Sequence, residues 1–110
     1  MARKPEVDAG SGDVFRDLGY ADAGERRLKV RLAIEVVRII QERRLTQSRA
    51  AKLLDIAQPH VSDLVRFRLN RFSAERVMEF LTRLGKGVEI RITRRQTRRA
   101  PAAVRVTHVA

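Results

Sequence analysis

His60, Ser62 and Asp63 lie within four residues of one another, and these are the residue types of a nucleophilic hydrolase. Pro59 just before them suits the first turn of a helix, where the missing amide hydrogen has no helical partner. We therefore predict a helix over residues 58–66. Because a catalytic triad needs the imidazole between the hydroxyl and the carboxylate, one helical turn does not assemble it.

Metal and cofactor chemistry is also not expected. Cysteine is absent, which excludes disulfides, thiolate catalysis and thiolate-bound zinc. His60 and His108 are too far apart in sequence to suggest a shared metal site. The segment "LGKG" at 84–87 has the pattern of a helix end and a turn, not of a phosphate-binding loop. We predict that the chain is not an enzyme and needs no cofactor.

The charge of the chain points to a polyanion. The formal net charge is +11, and residues 26–110 contain 21 Arg and Lys against seven Asp and Glu. After Glu89 the sequence contains six arginines and no acidic residue. Such a surface favours nucleic acid, because binding releases counterions from phosphates; the alternative is that the arginines only keep the protein soluble. The scarcity of aromatic residues argues against RNA.

Length and hydropathy describe a small intracellular domain. A chain of 110 residues holds one domain at most. No apolar run approaches the roughly 18 residues of a membrane span, and the N-terminus lacks the apolar segment of a secretory signal. We expect a cytoplasmic protein without membrane association.

Four helices are predicted to position these residues. Asp22 and Glu25 form a capping box that starts the first helix at about Ala23, and Thr46 and Ser73 are N-caps of the second and fourth. The inward-facing apolar residues follow helical spacing. They are Leu28, Leu32, Ala33, Val36, Val37, Ile39 and Ile40 in the first helix, and Val77, Met78, Phe80, Leu81 and Leu84 in the fourth.

The second and third predicted helices have the pattern of a helix-turn-helix. Ala51 is a small residue at the point where the third predicted helix would cross the second. Asp55 tolerates the left-handed conformation that the turn between them requires. Ile56 and Val61 then anchor the third predicted helix, and Leu64 continues the same buried face. The alternative is an ordinary helical hairpin.

The C-terminal end of the domain is predicted to be a strand. Val88, Ile90 and Ile92 alternate with polar residues over 88–94. A single strand needs a partner, either the short segment 14–18 or a second copy across a two-fold axis. We therefore predict an all-α fold with a minor β element: four to five helices, a C-terminal dimerisation strand, and an optional short N-terminal strand.

The sequence divides the chain into three parts. We interpret residues 1–13 as a disordered arm, 14–94 as the domain and 95–110 as a basic flexible tail. An apolar segment at the start of the domain is too short to fold alone and must dock on another surface. Its residues are Val14, Phe15, Leu18 and Tyr20.

The segment "LTQSRAAKLLDIAQPHVSDLV" resembles the XRE (Cro/cI-like) helix-turn-helix family. The flanking sequences over 14–93 are similar to the HigA-like antitoxins of that family. The resemblance implies a compact helical domain that dimerises on a palindromic DNA operator. It also implies a toxin partner, a RelE/HigB-like mRNA nuclease that the antitoxin would neutralise while repressing its own operon. The alternative is a stand-alone phage-type regulator.

The resemblance also suggests roles for individual residues. Gln47 matches a glutamine that holds a phosphate, and Gln58 matches one whose amide can read adenine. The residues expected to face bases are Gln58, Pro59, His60, Ser62 and Asp63. Those expected on phosphates are Gln47, Arg49, Lys52, Arg66 and Arg68.

The sequence departs from the family pattern at three positions. Ala57 stands where a serine usually caps the recognition helix, which costs about 1 kcal/mol. Phe67 replaces the glycine usual after that helix. Asp63 would be repelled by phosphates, so it either accepts a hydrogen bond from a cytosine amino group or pairs with Arg66.

Overall fold

The computed structural model describes residues 18–94 and 104–109, with side chains from Ala23 onward. This part of the chain contains four helices: α1 (Leu18–Glu42), α2 (Gln47–Leu54), α3 (Gln58–Val65) and α4 (Ala74–Arg83). The long α1 packs against α4 and α3, and α2 packs on α3. The predicted helical fold is thus confirmed for the described residues. No helix in this part of the chain is long and apolar enough to cross a membrane.

One hydrophobic core joins the four helices. Its largest fully buried side chains are Val36, Leu54, Val61, Leu64, Val77, Phe80 and Leu84. The ring of Phe72 meets that of Phe80 edge to face at 5.5 Å between centroids, and the Arg76 guanidinium lies 5.1 Å above the Phe80 ring. The core thus reaches from α1 through α4 to the inner sides of α2 and α3, and this packing fixes which face of α3 points outward.

All four helices end in the same way. After each, one residue adopts a left-handed backbone and the next N–H bonds back to a carbonyl five residues earlier, which satisfies carbonyls that would otherwise lack partners. The left-handed residues are Arg44, Asp55, Phe67 and Gly85, of which only the last is glycine. Asp55 (φ 59, ψ 49) and Gly85 (φ 87) confirm the predicted turn and the predicted helix stop.

The N-terminal end of the domain differs from the prediction. α1 begins at Leu18, not at about Ala23, so Asp22 and Glu25 lie inside the helix. A capping box is only a local signal, and the preceding residues extend the helix past it. Leu18 and Tyr20 of the predicted docking segment are therefore helical, and Leu18 is not part of an N-terminal strand. Val14, Phe15 and the predicted arm over 1–13 lie outside the described residues.

The predicted C-terminal strand is not confirmed. Residues 86–94 have no regular secondary structure, and Ile90 and Ile92 are 77% and 94% exposed. The physical reason is that a strand requires a paired backbone. Among the described residues no backbone hydrogen bond links 87–94 to another segment.

Part of the predicted tail contacts the domain. Residues 104–109 lie near α1, where Val106 packs on the core and Nδ1 of His108 lies 3.0 Å from Oε1 of Glu35. The prediction of a flexible tail over 95–110 also covers residues 95–103, which lie outside the described part. Residues 104–109 are thus partly buried on α1.

Candidate nucleic-acid interface

α2 holds three of the five residues predicted to contact phosphates. The Thr46 hydroxyl accepts a hydrogen bond from the Arg49 N–H at 3.1 Å, which confirms the predicted cap. Gln47 and Arg49 follow in the first turn of α2, and Lys52 lies in the next turn; all three are exposed. The capped first turn therefore presents an amide and a guanidinium to the solvent on a helix whose other face is buried through Ala50, Ala51 and Leu54.

The buried side of α3 determines which residues it presents outward. Val61 and Leu64 are fully buried, with Ile56 and Val65 packed against the same core. Pro59 lies at the start of α3, as predicted, and Ala57 forms no side-chain cap. The residues predicted to face bases are accessible to differing degrees. Gln58 and Pro59 are exposed, and His60, Ser62 and Asp63 are half-buried.

The turn between α2 and α3 contacts α4 through one exposed ion pair. Asp55 provides the left-handed residue, and its Oδ2 lies 3.8 Å from Nη2 of Arg83 on α4. Since the Asp55 side chain is largely exposed, we expect this ion pair to contribute little energy. Burial of Leu54 and Val61 on either side of the turn is what sets the angle between the helices.

Asp63 pairs with Arg71 and not with Arg66, the protein partner that the sequence suggested. Its Oδ2 accepts a hydrogen bond from Nε of Arg71 at 3.2 Å, and no ion pair joins it to Arg66 within the described residues. An i,i+3 pair on α3 was the local expectation, but Arg66 ends the helix and the following turn brings Arg71 over Asp63. The carboxylate is therefore neutralised from the loop between α3 and α4.

Arg71 is the residue of this surface that sequence reasoning missed. Besides Asp63 it contacts His60, with Nη1 3.1 Å from Nε2 of the imidazole. Arginine can only donate, so Nε2 accepts and the imidazole carries its proton on Nδ1. The seven residues between Asp63 and Arg71 include the left-handed turn at Phe67, so no regular helix or strand periodicity relates the two side chains. The only sequence signal for this role of Arg71 was that one more arginine follows α3.

The turn after α3 contains the second departure from the family pattern. Phe67 takes a left-handed conformation (φ 59) in place of glycine, and its ring is 42% exposed. The backbone thus keeps the geometry of a glycine turn despite the larger side chain. Arg66 and Arg68 flank it and are exposed, as contacts to phosphate require.

The electrostatics of the motif favour an anion. Residues 46–73 contain five Arg or Lys and two Asp, and both carboxylates lie beside an arginine. A metal site is not indicated, because no group of His, Asp and Glu within the described residues could hold an ion. The arrangement therefore presents amides, hydroxyls and guanidiniums, which can donate hydrogen bonds to phosphates and base edges.

Comparison with known proteins agrees with this geometry. A family model described as a helix-turn-helix domain matches residues 14–93. A solved structure named as an XRE family transcriptional regulator is similar with a TM-score of 0.76 and 42% sequence identity, covering 80% of this chain and 99% of the other. None of the curated proteins matches.

Proposed function

The chain belongs to the helix-turn-helix family whose model spans residues 14–93, of the XRE type, and from this premise we propose that it is a sequence-specific transcriptional repressor. The observation that carries the proposal is the two-sided character of α3. Its inner side is fully buried at Val61 and Leu64, while its outer side presents Gln58 and its neighbours. A helix held in this way can enter the major groove as a rigid unit.

The proposed contacts divide into two groups. Base edges would be read by Gln58, Pro59, His60, Ser62 and Asp63, among which the exposed Gln58 amide can bind adenine through two hydrogen bonds. Phosphates would be held by Gln47, Arg49, Lys52, Arg66 and Arg68, which are all exposed. The phosphate group would set the register of the protein on the duplex, and the base group would select the sequence.

We propose that the repressor is a homodimer on a palindromic operator. What supports this is the apolar row of Val88, Ile90 and Ile92, which is exposed in the single chain and has the alternation of a strand. Pairing of this segment with its copy across a two-fold axis would satisfy its backbone and cover its side chains. The two copies of α3 would then face half-sites about one turn of DNA apart.

We further propose that the protein is the antitoxin of a type II toxin–antitoxin pair and represses its own operon. The support is the resemblance of the sequences that flank the motif to HigA-like antitoxins. The partner would be a RelE/HigB-like toxin, docked on the apolar segment formed by Val14, Phe15, Leu18 and Tyr20. A stand-alone phage-type regulator is the alternative, since the same motif binds DNA without a toxin.

DNA recognition is tested by replacing Gln58. The wild-type protein is first used to select its preferred sites from a randomised duplex library, and affinities are then measured by fluorescence anisotropy. Gln58→Ala should lose roughly 5- to 150-fold at the selected site, because a bidentate base contact is worth about 1–3 kcal/mol. It should keep weak, salt-dependent binding to unrelated DNA.

The matched control is Gln41→Ala, an exposed glutamine near the end of α1. It should leave affinity and sequence preference unchanged. A Gln58→Ala protein with the wild-type preference would refute the assignment of α3 as the recognition helix.

The antitoxin role is tested by co-expression with the neighbouring reading frame. A small basic toxin should co-purify with the wild-type chain and separate from Phe15→Asp, which should still bind DNA. Retention of the toxin by Phe15→Asp would place the docking surface elsewhere. The absence of a toxin-like neighbour, with operator binding intact, would favour the stand-alone regulator.

A further inference from the structure

Arg71 forms a three-residue cluster with the outer face of α3. Its Nε donates to Oδ2 of Asp63 at 3.2 Å, and its Nη1 donates to Nε2 of His60 at 3.1 Å. His60 and Asp63 are three residues apart, so they lie on the same side of the helix. The guanidinium therefore lies across the outer face of α3, which would contact bases under the proposed function.

This arrangement changes what Asp63 and His60 can do. The Asp63 side chain is 26% exposed and its carboxylate is already paired with Arg71. The imidazole nitrogen that faces Arg71 is an acceptor and is likewise occupied. Both residues thus direct polar atoms at the guanidinium of Arg71, a residue whose side chain is 51% exposed.

The guanidinium retains donors for a ligand. Arginine carries five N–H groups, and the two contacts use one on Nε and one on Nη1, which leaves three. Two neighbouring N–H groups of arginine match the O6 and N7 acceptors of guanine in the major groove. Since Asp63 and His60 already restrict the side chain, less rotamer entropy would be lost when it binds.

We propose that Arg71 is a specificity-determining residue that reads a guanine from the loop between α3 and α4. Asp63 and His60 are its positioning residues. This assignment replaces the base-reading role that these two residues have in the proposed function. This inference rests on the proposed function, because it requires the outer face of α3 to lie in the major groove. It adds to that function a base contact made from outside the recognition helix.

The test compares base preferences at every position of the selected site. Arg71→Lys keeps the charge but removes the paired donors, so it should lose roughly 5- to 150-fold of the preference for one G·C pair in each half-site. Preferences at the other positions should remain. Arg71→Ala should show the same local loss together with weaker binding to all DNA.

Asp63→Asn tests the positioning role. It keeps the size of the side chain but weakens the contact to the guanidinium, so it should lower the preference at the same G·C pair and at no other position. Circular dichroism and thermal unfolding of these variants should match the wild type, because the substituted side chains lie outside the core. The control is Arg68→Ala, which should weaken binding to all sequences about equally.

Four results would overturn the proposal. If Arg71→Lys selects the wild-type sequences with an unchanged G·C preference, or loses affinity uniformly across positions, Arg71 is at most a phosphate contact. Loss at a different position for Asp63→Asn would make Asp63 a base reader of its own. A wild-type protein that enriches no sequence would overturn the proposed function, and this inference with it.

Discussion

The helix-turn-helix formed by α2 and α3 and the C-terminal segment of residues 88–92 both carry regularly spaced apolar residues, but only the helix-turn-helix buries them. In the motif, Leu54, Val61 and Leu64 are fully buried against α1 and α4. In the C-terminal segment, Ile90 and Ile92 are 77% and 94% exposed. The spacing of apolar residues was equally clear in both regions. The difference is that the motif finds its packing partners in the same chain.

This contrast shows what an apolar pattern specifies. Periodicity states which residues share a face, and a partner surface decides whether that face is covered. For the motif the partner is the row of apolar residues along α1 and α4. For residues 88–92 the proposed partner is a second copy of the chain. The two regions should therefore respond differently to substitution and to protein concentration.

The largest effect is expected in the motif. Leu64→Ala removes a fully buried side chain, which should lower the free energy of unfolding by about 2–5 kcal/mol. Denaturant unfolding followed by circular dichroism measures it. The control, Ile92→Ala, should change the stability of the monomer by less than about 0.5 kcal/mol. Equal losses for the two variants would show that the C-terminal segment is buried in the single chain.

The second effect concerns association. Ile90→Asp should cost about 1.5–3 kcal/mol of association free energy, because an isoleucine is lost from the proposed dimer interface. That is roughly a 10- to 150-fold higher dissociation constant, measured by sedimentation equilibrium. Operator binding should weaken with it, while the unfolding of the dilute monomer stays as in the wild type. An intact dimer in sedimentation would remove residues 88–92 from the interface.

The smallest effect lies at the end of α3. A left-handed backbone costs a non-glycine residue about 1–2 kcal/mol, and glycine gains about 0.5–1 kcal/mol of freedom in the unfolded chain. Phe67→Gly should therefore stabilise the domain by about 0.5–1 kcal/mol in denaturant unfolding. Phe67→Ala keeps the strain and loses the ring, so it should give no gain. A destabilised Phe67→Gly protein would mean that the ring contributes more than the turn costs.

Local signals made much of the motif predictable. Thr46 and Ser73 cap their helices through contacts within three residues, and Pro59 starts α3 as its missing N–H allows. Asp55 takes the left-handed turn that its residue type tolerates. In each case the chemistry that decides the structure lies within a few residues of the signal, so the sequence contains it.

The parts that were missed depend on contacts through space. Arg71 reaches Asp63 and His60 only because the turn at Phe67 reverses the chain, and nothing in the spacing of these residues announces it. The capping pattern of Asp22 and Glu25 predicted the wrong start for α1, which begins at Leu18. The contacts of exposed side chains were the least predictable feature, since packing does not constrain them.

The long contacts of α1 have a consequence for the order of folding. Lys29 Nζ donates to the carbonyl of Leu69, and Arg43 Nη2 donates to that of Leu84, across 40 and 41 residues of chain. The contacts between α2 and α3 span far fewer residues, so they close at a lower entropic cost. We expect α2 and α3 to meet early in folding and α1 to dock late. The long first helix would then be the last part of the domain to become committed to the native state.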